Sequence, residues 1–267
     1  MKLEGKVVVV TGAGSGMGRE LTLELIRRGA SVAAVDMRAE TLEQTKDLAL
    51  AAGGRIETFV LDVSDDAKVI ALPDAVAEKL GAVDALINNA GIIQPFVMIN
   101  DLTVEAAAKV MNVNFHGPLM LTKAFLPGLL SRPEAHILNV SSMGAYAPVP
   151  GQSVYGASKA AIKLFTEGLR SELLTTNVGV TIVFPGAIAT NIAANSGMAV
   201  PAAGSTEASK FKMTAAPVAA KKMIDAIEKN KARITIGQDA TMMDIMTRIN
   251  PVWAAGVIYK QMKSLLS

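Results

Sequence analysis

The chain has 267 residues, enough for one sizeable α/β domain and short for two. Apolar side chains make up 51% of it, so a large core can be buried, and the formal charge of +2 without a basic cluster argues against nucleic-acid binding. There is no cysteine, and the two histidines, His116 and His136, lack the spacing of a helical metal pair, so thiol chemistry and a cysteine-ligated zinc site are excluded and we predict no metal.

The first six residues lead directly into an apolar strand, without the hydrophobic region and cleavage site of a signal peptide. No segment reaches the roughly 20 apolar residues that a transmembrane helix needs. We therefore expect a soluble, cytoplasmic protein.

Short β-branched runs alternate with helical patterns from the start of the chain. In chain order we predict strand 6–10, helix 16–28, strand 31–35, helix 39–51, strand 56–61, helix 65–80, strand 84–87, helix 103–130, strand 135–140, helix 154–175, strand 180–184, helix 217–230 and strand 233–236. Pro73 is expected to break the third helix, and Pro118 to kink or divide the fourth.

This alternation predicts a single-domain α/β fold of the Rossmann type over residues 1–267. The expected core is a doubly wound parallel sheet of about seven strands with helices on both faces. A variable substrate loop is predicted at about 186–216, and a Met-rich C-terminal tail at about 240–267.

The first strand ends in a glycine-rich turn, Thr11-Gly12-Ala13-Gly14-Ser15-Gly16-Met17-Gly18, and a helix follows. Glycine lets the backbone approach a pyrophosphate, and the N-terminus of the helix offers N–H groups and partial positive charge. The spacing is G-x-x-x-G-x-G rather than G-x-G-x-x-G, so the turn alone is weak evidence. Its position after the first strand favours a dinucleotide site. The predicted contacts are Gly12, Ser15, Gly16, Met17 and Gly18.

Asp36 closes the second strand, where a carboxylate can bind the adenosine ribose and repel a 2′-phosphate. Ser15 and Met37 add no positive charge that would attract that phosphate. Arg38 is basic, and its orientation stays open, as does an ordinary strand-end role for Asp36. We predict NAD as the cofactor.

Tyr155 and Lys159 are four residues apart at the start of a predicted helix, so they share one helical face. Proton transfer at neutral pH requires the pKa of the phenol to fall from about 10 to about 7, a change of roughly 4 kcal/mol. One positive charge at about 4 Å supplies about that much at an effective dielectric constant near 20. We therefore expect Lys159, aided by a cationic nicotinamide ring, to lower the pKa of Tyr155.

A Tyr-x-x-x-Lys pair occurs often by chance, and its surroundings add specificity. The fifth strand ends in Asn139-Val140-Ser141-Ser142, and the fourth in Asn88-Asn89-Ala90-Gly91. Parallel sheets gather functional groups at the carboxyl ends of their strands, which places both runs near the pair.

In these features the chain resembles the short-chain dehydrogenase/reductase family, in its branch of roughly 250 residues. The matching elements run in the expected order from Thr11 to Thr190: the glycine turn, Asp62, Asn88 to Gly91, Asn114, Ser142, Tyr155, Lys159, and Pro185-Gly186 with Thr190. The resemblance implies an oxidoreductase that moves a hydride between NAD and an alcohol or ketone. It also implies a homotetramer or dimer formed through helices 103–130 and 154–175.

The resemblance implies a role for each matched residue. Ser142, rather than its neighbour Ser141, would bind the substrate oxygen beside the general acid/base Tyr155, and Asn114 would hold a water that links Lys159 to solvent. Lys159 would also bind the nicotinamide ribose. Asp62 and Val63 would contact the adenine, Asn89 the adenosine side, and Ile188 and Thr190 the nicotinamide amide. The other implied cofactor contacts are Ala90, Gly91, Tyr155, Pro185 and Gly186.

Simpler interpretations of several residues remain open. Asn88 and Asn89 can satisfy backbone groups at a strand end, and Asn114 can stabilise a helix kink. His116 and His136 suit structural roles, and the methionines at 242, 243 and 246 suit packing.

The expected substrate walls are largely apolar and carry no inner lysine or arginine: Ile93, Phe96, Met143, Val149, Met198 and Val200. We predict a small-molecule substrate, a hydrophobic secondary alcohol or ketone, without naming it. A sugar-nucleotide epimerase or dehydratase and a non-catalytic NAD sensor are alternatives on the same fold. The tail from residue 240 is predicted to cap the pocket, pack between subunits or contact a membrane surface.

Overall fold

The computed structural model describes residues 1–190, 192, 196 and 213–262, without the side chains of residues 261 and 262. Its centre is a seven-stranded parallel sheet in the order β3-β2-β1-β4-β5-β6-β9. The strands are β1 (Val7–Thr11), β2 (Ser31–Asp36), β3 (Arg55–Val60), β4 (Ala85–Asn88), β5 (Ala135–Val140), β6 (Val178–Pro185), β7 (Ile188–Ala189), β8 (Thr214–Ala215) and β9 (Arg233–Ile236). The strand order reverses between β1 and β4, which is the place where such sheets bind ligands.

Helices cover both faces of the sheet. They are α1 (Gly16–Arg27), α2 (Ala39–Ala51), α3 (Asp66–Leu80), α4 (Val104–Met111), α5 (Gly117–Leu130), α6 (Ser153–Glu172), α7 (Ala216–Glu228), α8 (Gln238–Ile249) and α9 (Pro251–Met262). One core lies under α1 and α7, around Leu21 and Ile224, and the other under α3, α5 and α6, around Val69, Phe125 and Leu169. The predicted doubly wound α/β fold is confirmed.

The expected break at Pro73 is wrong, because α3 continues through this residue. Val69, Leu72, Val76 and Leu80 are buried along one face of the helix. Their packing maintains the helix despite the backbone N–H that proline lacks.

The helical region 103–130 divides at Pro118, as predicted. A π-helical turn, Asn112–His116, separates α4 from α5, and Pro118 lies in the first turn of α5. Pro118 has no N–H for the carbonyl of Asn114, the residue four positions earlier, so a regular α-helix is interrupted there.

The segments outside the main sheet carry structure that the sequence patterns did not predict. β7 and β8 pair with each other at the two ends of the predicted substrate loop. The tail folds into α8 and α9, where Met243 and Ile258 are buried with Ala147. Among the described residues, none of the helices has both the length and the apolar content needed to span a bilayer.

Candidate active site

Tyr155 and Lys159 lie in the first two turns of α6, beside the carboxyl end of β5. The ammonium of Lys159 lies 5.9 Å from the centre of the Tyr155 ring and donates a hydrogen bond to the carbonyl oxygen of Val140 at 3.1 Å. Lys159 is 4% exposed, and among the residues that the structure describes it forms no ion pair with a carboxylate. The predicted pair is therefore brought together around a buried cation.

Burial dominates the ionisation of both groups. It lowers the pKa of Lys159 to about 8 and raises the pKa of Tyr155. A hydrogen bond with Ser142 lowers the pKa of Tyr155 and opposes part of that effect. We expected Lys159 to lower the pKa of Tyr155, and this effect is not found. Burial in the same site removes hydration from the charged forms of both side chains.

The two serines after β5 have different roles. Ser142 lies beside the Tyr155 ring, since a Cβ on Gly144 would lie 3.5 Å from Ser142 Oγ and 3.2 Å from Tyr155 Cε1, and its Oγ accepts a hydrogen bond from the N–H of Gly144 at 3.1 Å. Ser141 is buried, and its hydroxyl donates to the carbonyl oxygen of Lys159 at 2.7 Å. Ser142 is thus the serine that contacts the phenol, and Ser141 holds the backbone of α6.

Asn114 lies in the π-helical turn, and its buried side chain is hydrogen-bonded to neighbouring groups of the protein. Its Nδ2 donates to the carbonyl oxygen of Ile92 at 2.9 Å and to Ser158 at 3.0 Å, while its Oδ1 accepts from the N–H of Ile92 at 2.9 Å. A Cβ on Gly91 would lie 3.2 Å from both Asn114 Oδ1 and the Lys159 ammonium, so glycine leaves room where these groups meet. Asn114 therefore does fix the local structure, and its predicted water contact stays a prediction.

The glycine turn lies at the carboxyl end of β1, with Gly12 and Gly16 at φ values of 69° and 52°. Two residues that the sequence patterns missed bind carbonyl groups of this turn. Thr45 donates to the carbonyl oxygen of Ala13 at 3.0 Å, and Arg19 donates to that of Gly14 at 2.7 Å. Because these carbonyl oxygens are hydrogen-bonded within the protein, the N-terminus of α1 can face an anion without repulsion from them.

Asp36 and Arg38 lie beside this turn. Asp36 accepts hydrogen bonds from the N–H groups of Gly14 at 2.9 Å and Arg38 at 3.0 Å. The guanidinium of Arg38 donates to Ser15 at 3.1 Å and lies 3.7 Å from Asp36. Arg38 therefore points into the ribose region that the sequence predicts for Asp36.

The run after β4 packs against the same turn. Asn89 donates through Nδ2 to the carbonyl oxygen of Thr11 at 2.9 Å, and the N–H of Ala90 donates to the Thr11 hydroxyl at 3.0 Å. Asn88 donates to Asn139 on β5 at 2.8 Å. Both asparagine side chains thus support the strands, as the simpler interpretation allowed, and a cofactor contact of Asn89 stays a prediction.

Of the remaining predicted contacts, Thr190 lies beside the glycine turn. A Cβ on Gly16 would lie 3.3 Å from the Thr190 side chain, and Ile188 and Met17 pack against one core. Pro185 ends β6, and a Cβ on Gly186 would overlap the carboxylate of Asp239, a residue that the sequence patterns missed. Asp239 accepts from the N–H of Ala187 at 2.6 Å, so α8 fixes this turn.

Asp62 and Val63 follow β3 on the other side of the glycine turn. Asp62 accepts hydrogen bonds from the N–H and the hydroxyl of Ser64, and Val63 is buried beside Gly117 at the start of α5. Met198 and Val200 of the predicted substrate wall lie outside the described residues.

Comparisons with known proteins agree with this arrangement. Residues 6–200 match the family model described as short chain dehydrogenase. SadH of Mycobacterium tuberculosis is 38% identical over 252 residues, 92% of this chain and 91% of SadH. A short chain dehydrogenase/reductase from Burkholderia phymatum in complex with NAD has a TM-score of 0.82 at 26% identity, over 100% of this chain and 97% of that one. A short chain dehydrogenase from Burkholderia cenocepacia in complex with NADP has a TM-score of 0.80 at 29% identity, over 97% and 99%. These similarities support a nicotinamide dinucleotide as the cofactor class.

Proposed function

Because the chain belongs to the short-chain dehydrogenase/reductase family of oxidoreductases, we propose that it transfers a hydride between NAD(H) and an apolar secondary alcohol or ketone. The observation that carries this proposal is the convergence of Ser142, Tyr155 and the buried Lys159 beside the glycine turn. A buried ammonium without a carboxylate partner beside a phenol is the electrostatic arrangement that proton transfer by that phenol requires.

In the proposed oxidation, Tyr155 takes the proton of the substrate hydroxyl while Ser142 holds the same oxygen by a hydrogen bond. In reduction, Tyr155 returns the proton. The nicotinamide supplies the hydride acceptor or donor and, when oxidised, a positive charge. Burial raises the pKa of Tyr155, so the charge of Lys159 and the hydrogen bond with Ser142 must both favour the phenolate during turnover.

We further propose NAD rather than NADP. The glycine turn fits a pyrophosphate, because Thr45 and Arg19 hold its carbonyl groups and leave the N-terminus of α1 available to an anion. At the end of β2, the carboxylate of Asp36 opposes a 2′-phosphate. The guanidinium of Arg38 lies 3.7 Å from that carboxylate. The negative charge of Asp36 therefore offsets the positive charge of Arg38 that would otherwise attract a 2′-phosphate.

The proposed substrate is apolar because the segments predicted to form the substrate walls carry apolar side chains. Ile93 and Phe96 lie in the loop after β4, Met143 follows Ser142, and Val149 lies shortly before α6. None of these side chains provides a charge for a carboxylate or phosphate on the substrate.

A homo-oligomer, dimer or tetramer, also belongs to the proposal, in line with the family. Leu164 on α6 is 69% exposed and Val104 on α4 is 79% exposed, and both lie on the helical regions through which the family resemblance places subunit contacts. Light scattering of Leu164→Lys tests this, since the charge should dissociate a dimer formed through α6. Contact of the tail with a membrane surface and a cytoplasmic location stay predictions.

The direct test is absorbance at 340 nm with a panel of apolar secondary alcohols and ketones, with NAD(H) and then NADP(H). Tyr155→Phe should bind NAD normally and lose about 10²- to 10⁴-fold in kcat. Tyr259→Phe is the matched control, because Tyr259 lies exposed on α9. Near-full turnover in Tyr155→Phe, or none in the unmodified protein, would rule out the proposed function.

A further inference from the structure

Gln94 lies in the loop after β4. Both its side chain and its backbone carbonyl are hydrogen-bonded to residues at the start of α6 or just before it. Its Oε1 accepts hydrogen bonds from the N–H groups of Val154 and Tyr155, both at 2.9 Å. Its Nε2 donates to the carbonyl oxygen of Gly151 at 2.9 Å, and its own carbonyl oxygen accepts from Gln152 at 2.8 Å. Gln94 is 1% exposed, and its bonds with Gly151 and Gln152 are buried.

The two N–H groups that Gln94 binds belong to the first turn of α6, where no earlier helical carbonyl can accept them. Such groups are usually capped by the residue that precedes the helix. Here the preceding residue, Gln152, makes no cap with its side chain, which instead donates to Gln94. The cap of α6 therefore comes from a residue 60 positions away in the chain.

Tyr155 is consequently held at both backbone groups. Its N–H donates to Gln94, and its carbonyl oxygen accepts from the Ser158 hydroxyl at 2.7 Å. Ser158 is in turn bonded to Asn114, which also holds Ile92, two residues before Gln94. The loop after β4 and the first turn of α6 thus form one hydrogen-bonded unit around the backbone of Tyr155.

We propose that Gln94 is a positioning residue for the proton transfer by Tyr155, an inference that rests on the proposed function. By accepting a hydrogen bond from the N–H of Tyr155, Gln94 fixes the position of the phenol relative to Ser142. It does so with an uncharged oxygen, so the partial positive charge at the start of α6 continues to favour the phenolate. A carboxylate at this position would provide the same acceptor and oppose that charge.

Two substitutions separate the geometric effect from the electrostatic one. Gln94→Leu removes both caps and should lower kcat by about 10²-fold, because small misplacements of reacting groups have effects of this size, with little change in KM for NAD. Gln94→Glu keeps an acceptor for both N–H groups, loses the donor to the carbonyl oxygen of Gly151 and, when ionised, adds a negative charge. It should move the midpoint of the pH dependence of alcohol oxidation upward by about one pH unit, since the phenolate becomes harder to form.

Asn250→Ala is the matched control, because Asn250 caps α9 with an amide oxygen that accepts from the N–H of Trp253 at 2.9 Å. Hydrogen–deuterium exchange of the peptide 151–160 provides a readout that does not need turnover. Exchange there should be faster in Gln94→Leu and unchanged in Asn250→Ala. Both variants should lose thermal stability, whereas only the Gln94 substitutions should alter kcat or the pH profile.

The possible results keep the two proposals apart. If the unmodified protein turns over an alcohol and the Gln94 variants match its kcat and pH profile per folded molecule, the positioning role is overturned and the proposed function stands. If the unmodified protein oxidises no alcohol and reduces no ketone with either cofactor, the proposed function fails, and the role of Gln94 in catalysis fails with it.

Discussion

The central sheet has an amino edge, where its parallel strands begin, and a carboxyl edge, where they end. Buried charges at these two edges are treated in opposite ways. At the amino edge, Asp84 is 1% exposed, and its carboxylate accepts from the N–H of Val7 at 2.9 Å and pairs with Arg132 at 2.9 Å and Lys6 at 3.5 Å. At the carboxyl edge, Lys159 is 4% exposed and donates to the carbonyl oxygen of Val140. In the described part of the chain, no carboxylate pairs with it.

A buried charge is costly unless it is paired and hydrogen-bonded. The paired charge at the amino edge therefore stabilises the fold, whereas the unpaired charge at the carboxyl edge opposes folding. Groups that reduce stability in this way are found where chemistry needs them. Neutralising the two charges should consequently have opposite effects on stability and on activity.

The largest effect is expected for Lys159→Met. A cation 5.9 Å from the ring supports the phenolate by about 3 kcal/mol at an effective dielectric constant near 20, so loss of the charge should lower kcat by about 10²-fold. The free energy of unfolding at pH 7 should instead rise by about 3 kcal/mol, since burial lowers the pKa of Lys159 to about 8 from 10.5. In the unmodified protein this penalty is complete below pH 8 and disappears as the pH rises to 10.5, because only the unfolded chain stays protonated in that range.

Urea unfolding at pH 7 and pH 10 measures this effect. The control is Lys163→Met, one turn further along α6, where Lys163 is paired with Glu167 at 2.9 Å and is partly exposed. Its stability should change by less than about 1 kcal/mol. A Lys159→Met protein that is less stable at pH 7 would remove the contrast between the two edges.

Asp84→Ala should show the reverse pattern. The substitution leaves the Val7 N–H without an acceptor and Arg132 without its buried partner, so the free energy of unfolding should fall by about 3 kcal/mol. Activity per folded molecule should not change, since Asp84 lies at the opposite edge of the sheet from Tyr155. Urea unfolding and kcat in the same preparation test both statements. Asp84→Asn, which keeps an acceptor oxygen, should lose less stability than Asp84→Ala.

The features that the sequence did predict are those carried by local patterns. The seven strands, the glycine turn, and the Tyr155 and Lys159 spacing each depend on residues that are close along the chain. The family resemblance selected Ser142 rather than Ser141 as the serine beside Tyr155. In the structure Ser142 lowers the pKa of Tyr155, whereas Ser141 donates to the carbonyl oxygen of Lys159, and the catalytic role of Ser142 stays a prediction.

The features that were missed depend on tertiary register. Gln94 caps α6 across 60 residues, and Asp239 holds the turn after Pro185 across 52 residues. No local pattern marks a glutamine or an aspartate for such a partner. The error at Pro73 has the same origin, because the packing of α3 on the sheet outweighs a local preference. The effect of burial on the pKa of Tyr155 likewise depends on the folded surroundings rather than on the neighbouring lysine alone.

A further test of the amino edge uses His136, a buried base that stays uncharged. His136 is 2% exposed, and its Nε2 lies 2.8 Å from the Thr181 hydroxyl, which donates to the carbonyl oxygen of Lys231. Burial lowers the pKa of His136 to about 3 from 6.5. Between these values only the unfolded chain binds the proton, so stability should fall as the pH falls, by up to about 1.4 kcal/mol per pH unit.

Urea unfolding at pH 6.5, 5.5 and 4.5 should show a shallower loss of stability in His136→Gln than in the unmodified protein. Asn100→Gln is the control, since Asn100 is exposed and carries no titratable group, and its pH dependence should match that of the unmodified protein. Parallel curves for His136→Gln and the unmodified protein would mean that the amino edge tolerates a charged His136.

The smallest effect is expected at Asp36, which is an intermediate case at the carboxyl edge. Its carboxylate is 7% exposed, holds the N–H groups of Gly14 and Arg38, and has the Arg38 guanidinium at 3.7 Å. Asp36→Asn removes the charge and keeps an acceptor, so the ratio of kcat/KM for NAD to that for NADP should fall by about tenfold, or about 1.4 kcal/mol. Glu40→Gln neutralises an exposed carboxylate in the first turn of α2 and should leave that ratio unchanged. If Asp36→Asn also leaves it unchanged, Asp36 serves to hold the glycine turn through Gly14, and the choice between the two cofactors is made by other groups.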